Sequence, residues 1–426
     1  MNPIKGTQPP KIRLSKILEG SSEGSLMNKL SLTVSQTPAE VLATDEDFWQ
    51  EVSNEFSSPK EFIQLEYGYY HPAFRSVIEK EIQAVQELNC RTSHYKRTEM
   101  ATDFEGARLD LAEMSGVGID EIVITRNATE ALNILISGIK LLPGDEIVYS
   151  DYDYGSMVEA LEQRAKREGL VIRKVSIPQN PLSDEEVINC YTAATTSRTR
   201  LWHVTHVVHF TGHILPVSRI CEKAHQLGIE VVVDAAHSFA QIPFTIRELG
   251  CDYLGASLHK WLGAPLGLGL LFVKREKIEN VWPLFGDTGF PQDDIRKFQH
   301  LGNCPDSAHL GLREAIRWHN TLGTEAKFAR LRFLQQRWTD AARDMPGVRV
   351  ITPQDPNRSG AIASFVIDGV PPREITEYLM NEHRIFIASF ENSMLQCIRV
   401  TPGLPTLKVD IDFFIEALKR SIVYFK

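Results

Sequence analysis

Lys260 stands in Ser257-Leu258-His259-Lys260-Trp261-Leu262, about one strand–helix–strand unit after Val231-Val232-Val233-Asp234-Ala235-Ala236-His237. The valine run reads as a buried strand, and such a strand delivers its next residue, here Asp234, to the carboxyl edge of a parallel sheet. Leu258, Trp261 and Leu262 give the Lys260 amine apolar surroundings, which disfavour the ammonium form and lower its pKa toward nucleophilic competence. A lysine able to form a Schiff base, with an acid upstream to keep a pyridine nitrogen protonated, is what pyridoxal phosphate (PLP) chemistry asks of a protein. Taken singly, each residue has an ordinary alternative. Asp234 would serve as a helix N-cap, and Lys260 as a surface lysine whose stem lies over Trp261. The pair is what points to the cofactor.

Arg126-Asn127-Ala128-Thr129-Glu130-Ala131-Leu132 joins a strand to a helix. Free N–H groups at that helix start, with the Thr129 hydroxyl, make an anion seat; simple capping by Asn127 or Thr129 accounts for the same residues. Ser257 and His259 offer a hydroxyl and an imidazole to a phosphate oxygen. Gly263-Ala264-Pro265-Leu266-Gly267-Leu268-Gly269 is small enough for the backbone to approach a cofactor. It is no dinucleotide fingerprint, because the third glycine is missing and a strand follows where a helix should. In Asp151-Tyr152-Asp153-Tyr154-Gly155 an aromatic ring can lie flat on a planar group or merely fill a turn. Arg399, in Cys397-Ile398-Arg399-Val400-Thr401-Pro402, suits bidentate capture of an α-carboxylate or an ordinary salt bridge.

His203, His206, His209 and His213 raise a metal hypothesis. Their setting is strand-like, so His203 and His209 share one face while His206 takes the other. Three ligands do not converge from that arrangement, and no metal site is expected. His209, at the strand's end, is placed as a cofactor neighbour.

Alternating strand and helix patterns must position these residues, which predicts an α/β fold with a mostly parallel sheet covered on both faces. The strand segments include Ile122–Thr125, Glu146–Tyr149, Val171–Val175, Leu201–Val208, Glu230–Val233 and Leu270–Val273; helices are expected over Thr129–Ile139, Met157–Glu168 and Pro216–Leu227. Residues 1–44, rich in Ser, Gly, Pro and Thr, read as an N-terminal arm. Residues 45–75 form a segment packing on a small domain, 76–305 the large ligand-binding domain, and 306–426 linking helices and a small α+β domain.

With 426 residues, 43% hydrophobic and 24% charged, the chain can bury a large core. A net charge of −9 argues against a nucleic-acid or anionic-membrane surface. The six cysteines lack CxxC spacing, which suits a reducing compartment. No apolar stretch approaches the roughly 20 residues that span a bilayer, and no signal peptide is read at the start. A cytoplasmic location is the expectation.

Together these motifs, in order and spacing, resemble the class V aminotransferases, and most closely their isopenicillin N epimerase-like branch, over about residues 45–426. Asp294-Ile295-Arg296-Lys297-Phe298 also looks like that branch. The resemblance implies a fold-type I PLP-dependent transferase, with a large domain built on a seven-stranded sheet, a small C-terminal domain, and a homodimer with its active site at the subunit interface. It implies Lys260 as the lysine bonded to PLP, Asp234 at the pyridine nitrogen, His237 near the phenolic oxygen and Tyr154 stacked on the ring. Thr129, Ser257 and His259, with the Ala128 and Thr129 backbone N–H groups, would hold the phosphate, Asn127 would lie at the cofactor, and Arg399 would receive the substrate carboxylate. Asn303 stands where relatives often carry a threonine that reaches across the dimer, and His209 where they show Asn or Ser. Residues 388–394 lack the cysteine that related desulfurases use as a persulfide carrier. Twin-arginine export, found in some relatives, has no signal here.

The expected function is chemistry at the α-carbon of an amino acid through a Lys260 Schiff base, with an aminotransferase-type reaction placed first. A carbon–sulfur lyase or desulfurase-like β-elimination comes next and amino-acid epimerisation third. A non-catalytic PLP-binding protein is set against the intact lysine–aspartate pair.

Overall fold

The computed structural model describes residues 22–302, 304–391 and 395–426. In chain order its strands are β1 (Ile63–Gln64), β2 (Ile122–Thr125), β3 (Glu146–Ser150), β4 (Val171–Val175), β5 (Thr199–Thr205), β6 (Glu230–Asp234) and β7 (Tyr253–Ser257). There follow β8 (Gly269–Val273), β9 (Val348–Val350), β10 (Ala363–Ile367), β11 (Ile385–Phe386), β12 (Ala388–Glu391) and β13 (Gln396–Val400). Seven form one sheet in the order β2-β8-β7-β6-β5-β3-β4. The pairings from β7 through β6, β5 and β3 to β4 are parallel, and β8 alone is reversed, antiparallel to both β2 and β7. The fold is the α/β architecture expected from the sequence.

The continuous apolar runs have a direct cause. Both faces of the sheet are covered, so neither alternate position can be polar. Val231, Val233, Leu254, Ala256, Leu270 and Phe272 enter one apolar cluster, and Val232, Tyr253, Leu271 and Val273 the other. The second face carries the helices Ala128–Gly138 and Gly155–Glu168. Gly255 lets the first of these press onto β7: a Cβ there would lie 2.7 Å from Leu132 Cγ.

A four-stranded antiparallel sheet, β12-β13-β10-β9, carries the helices Thr324–Arg343, Pro372–His383 and Lys408–Tyr424 over a third cluster that includes Trp338, Phe365 and Phe414. The segment 45–75 straddles the two units. Its helix Glu46–Ser53, capped by Asp45, packs Phe48, Trp49 and Val52 into the large cluster, whereas Leu65 enters the small one and β1 pairs with β11.

Part of the expected arm is regular: Ser22–Gln36 and Ala39–Leu42 are helical, with Met27, Leu30 and Leu42 buried. Polar composition concealed the i, i+3, i+7 spacing of Met27, Leu30 and Val34. The long helices Arg75–Thr98 and Met100–Ser115 were likewise not expected from the sequence. No helix among the described residues is long and apolar enough to cross a membrane.

Candidate active site

Five parallel strands end at one place. β2 leads to Asn127, β3 to Tyr154, β5 to His209, β6 to Asp234 and β7 to Ser257, and all five residues line a cavity of about 390 Å³. Ala128, Thr129, His237, His259, Lys260 and Arg399 line it too. Every residue assigned to the cofactor or substrate from the sequence therefore lines this cavity except Asn303, which lies outside the described residues. Open α/β sheets bind ligands at the carboxyl ends of their strands, and this cavity sits there.

Lys260 is held by a short, tied loop. Leu258 N–H donates to the Leu268 carbonyl, Ala264 N–H to that of Leu258, and Gly263 N–H to that of Lys260, all at 3.0 Å. Leu258, Trp261 and Leu262 are buried, so the loop is anchored and the Lys260 amine turns into the cavity rather than lying over Trp261 on the surface. Nζ lies 3.0 Å from His237 Nε2. Desolvation first, then the Arg399 charge, lower the Lys260 pKa to about 8, against the pull of Asp234 and Glu66. Burial, reinforced by the Lys260 and Arg399 charges, holds His237 and His209 well below the usual imidazole range. Burial raises Asp234, while the Ala236 N–H, which donates to Oδ1 at 2.9 Å, acts the other way together with His203 and Lys260.

The candidate anion seat lies where β7 meets the start of the helix Ala128–Gly138. Ala128 N–H donates to Ser257 Oγ at 3.0 Å, and Asn127 Oδ1 caps the helix by accepting from Glu130 N–H at 2.8 Å. Gly269 permits this approach: a Cβ there would meet the Asn127 backbone at 2.5 Å. His259 Nδ1 and His237 Nδ1 are buried without a hydrogen-bond partner among the described residues. The Ala128 N–H, expected to be free, is taken by Ser257 Oγ, but the two unsatisfied imidazoles with the Thr129 and Ser257 hydroxyls around a glycine-made cradle fit a phosphate and a phenolic oxygen, and Asp234 in the cavity wall fits a ring nitrogen. The donor set suits PLP.

Tyr154, not Tyr152, reaches the cavity, its ring edge-on to His209 at 5.1 Å. The histidine strand does not gather a metal set. His203 pairs with Asp153, His206 packs on Phe244 at 5.0 Å, and His209 faces the cavity. Among the described residues no three His, Cys, Asp or Glu side chains come together to hold an ion.

Several residues escaped the sequence reading: the lining residues Tyr69, Tyr70, Thr205 and Phe390, and Glu66, which grips Arg399 without lining the cavity itself. Arg399 stacks on Phe390, with Cζ 4.7 Å from the ring centroid, and donates through Nη1 to the His209 carbonyl at 2.8 Å. The one available signal for Glu66 was an acid directly after the apolar extended segment Ile63–Leu65. Its partner could not be inferred from that position.

The aminotransferase class-V family profile matches residues 72–399. Isopenicillin N epimerase of Streptomyces clavuligerus is 28% identical over 391 residues, covering 87% of this chain and 97% of its own. The corresponding enzyme of Amycolatopsis lactamdurans is 30% identical over 74% of this chain and 84% of its own. The solved apo structure of a cysteine desulfurase from Thermococcus onnurineus shares the fold, with a TM-score of 0.78 and 20% identity over 88% of this chain and 98% of that one.

Proposed function

The chain belongs to the PLP-dependent class V aminotransferase family, and from that premise we propose an enzyme that moves protons at the α-carbon of a carboxylated amino acid, transamination being its first reading. One arrangement carries the proposal: the half-buried Lys260 amine, the Asp234 carboxylate and the Arg399 guanidinium open onto a single cavity. PLP, when bound, supplies a ring that accepts electrons from the substrate's α-carbon.

The protein's own groups do the rest. Lys260 anchors the cofactor and, once freed, carries the α-proton as a base whose lowered pKa keeps a usable neutral fraction near neutral pH. Asp234 would keep the ring nitrogen protonated by accepting its hydrogen bond. Neutral His237 shares its hydrogen bond between Lys260 and the phenolic oxygen. Thr129, Ser257, His259 and the helix N–H groups seat the phosphate, and Tyr154 covers the ring. Arg399 receives the substrate carboxylate.

Epimerisation is the second reading, favoured by the similarity to isopenicillin N epimerase over nearly the whole of that protein. Sulfur transfer through a persulfide finds less support. Residues 388–394 contain no cysteine, Cys397 is buried in β13, and neither it nor Cys304 lines the cavity. An amino-acid screen in both chiralities, following the cofactor spectrum and identifying products by mass spectrometry, tests the proposal. A keto acid supports transamination and an inverted α-carbon supports epimerisation. Sulfide with alanine would overturn both.

A homodimer is part of this reading. Ile78, Ile82 and Val85 are exposed at i, i+4, i+7 on the helix Arg75–Thr98, an apolar stripe suited to a second copy. Light scattering giving a monomer at micromolar concentration would contradict it. A cytoplasmic location is proposed on the same footing, from six cysteines that are all free.

A further inference from the structure

Behind Asp234 the histidine strand holds a charge pair with no part in the chemistry above. His203 Nδ1 lies 2.9 Å from Asp153 Oδ1, and both side chains are fully buried. Asp153 is saturated: Oδ1 also accepts from Thr205 Oγ1 at 2.7 Å, and Oδ2 from the Ser150 N–H and Oγ at 2.7 and 3.1 Å. His203 and Thr205 lie on the same face of β5, where Thr205 stands in register with Asp234 on β6 and lines the cavity beside it. The other nitrogen of His203, Nε2, is buried with no hydrogen-bond partner among the described residues.

A buried ion pair is a poor device for stability, since desolvating two charges costs several kcal/mol and an apolar pair of equal volume is often as good. Its use lies in the field it makes. Burial alone would lower the His203 pKa, but the charge and hydrogen bond of Asp153, with Asp234 adding to them, raise it above the ordinary value. Both carboxylates therefore favour the protonated form of His203. Its effect on Asp234 exceeds that of Asp153, which acts in the opposite sense.

We propose that the His203–Asp153 pair is a positioning device for Asp234, in which a cationic His203 behind the carboxylate keeps it anionic and leaves the shared proton on the cofactor's ring nitrogen. The inference rests on the assignment of Asp234 to that nitrogen. Asp153 fixes the imidazole through Nδ1, and its bond to Thr205 ties the pair to the cavity floor. Asp153 also directly precedes Tyr154, the residue at the start of the helix Gly155–Glu168 whose ring reaches the cavity.

Solid-state ¹⁵N NMR of holoenzyme loaded with ring-¹⁵N PLP reads the proton's location directly. His203→Asn keeps a donor toward Asp153 where Nδ1 stood but removes the charge. Its nitrogen resonance is expected to move from the pyridinium toward the neutral-pyridine position, with cofactor affinity retained. A folded His203→Asn protein whose resonance coincides with the wild type overturns the proposal. Should that single variant not fold, the double variant His203→Asn, Asp153→Asn, free of both charges, is expected at an intermediate position; coincidence with the wild type again overturns it. Asp234→Asn separates the two ideas. If that variant leaves the pyridinium signal unmoved, the assignment of Asp234 itself has failed.

Discussion

Glu66 grips one edge of Arg399: Nη2 donates to Oε1 at 2.6 Å and Nε to Oε2 at 3.2 Å, between side chains that are 6% and 5% exposed. Thr401 Oγ1 and the Tyr69 N–H, both at 2.9 Å, complete the carboxylate's shell. The side-on edge of the guanidinium is thus occupied from within the chain, and with Nη1 also donating to the His209 carbonyl, a substrate carboxylate would take the one remaining N–H of each terminal nitrogen. Sequence reasoning weighed a salt bridge against carboxylate capture for Arg399, and the geometry accommodates both.

Arg399→Ala should raise KM for carboxylated substrates about 10–100-fold, the range for a lost charge-assisted contact, with a smaller change for amines lacking the carboxylate. Steady-state kinetics on matched pairs, such as an amino acid and its decarboxylated amine, measure it. Equal losses on both would move the carboxylate site elsewhere. Glu66→Ala should cost about 3–5 kcal/mol in denaturant unfolding, because it strands a buried cation.

Lys260→Ala should abolish covalent attachment of PLP, seen as loss of the borohydride-fixed cofactor from the peptide containing residue 260. An unchanged, reducible adduct in that variant would eliminate Lys260 as the anchor. In the wild-type protein the attachment rate should follow the neutral amine. It should climb through pH 8 and level off above about pH 9, where an unshifted lysine would keep rising toward 10.5. Stopped-flow mixing of apoprotein with PLP across that range decides between the two curves.

Asp234→Ala should lower kcat by about 10²–10³-fold, the scale of losing a preorganised electrostatic contact, while changing PLP affinity far less. Asp234 serves the ring's electron demand, and the phosphate is held elsewhere. Turnover equal to the wild type would contradict that role.

Gly269→Ala should destabilise the protein by about 1–3 kcal/mol, since the added Cβ overlaps the Asn127 backbone. It should also weaken PLP binding, because Asn127 starts the helix that seats the phosphate. A thermal melt with and without added PLP reports both effects. A stabilisation by PLP as large as in the wild type would place the phosphate away from that helix.

The main sheet and the lysine–aspartate pair were legible because their signals are local. A strand buried on both faces must be apolar throughout, and a charge at its end is then conspicuous. The strands Ile122–Thr125 and Val171–Val175 were read to the residue, since their β-branched runs are also local. The helix Ser22–Gln36 was not, because two or three buried positions among serines and threonines leave little contrast.

What the sequence determined by itself was chemistry held within short stretches: the amine of Lys260, the carboxylate of Asp234, and the strand ends that present them. Only the tertiary structure decided which distant groups meet. Glu66 and Arg399 are 333 positions apart, and Asp153 and His203 are 50. Such pairs are fixed by how strands and loops pack, and a residue's type and neighbours carry no record of the partner it finds across the fold.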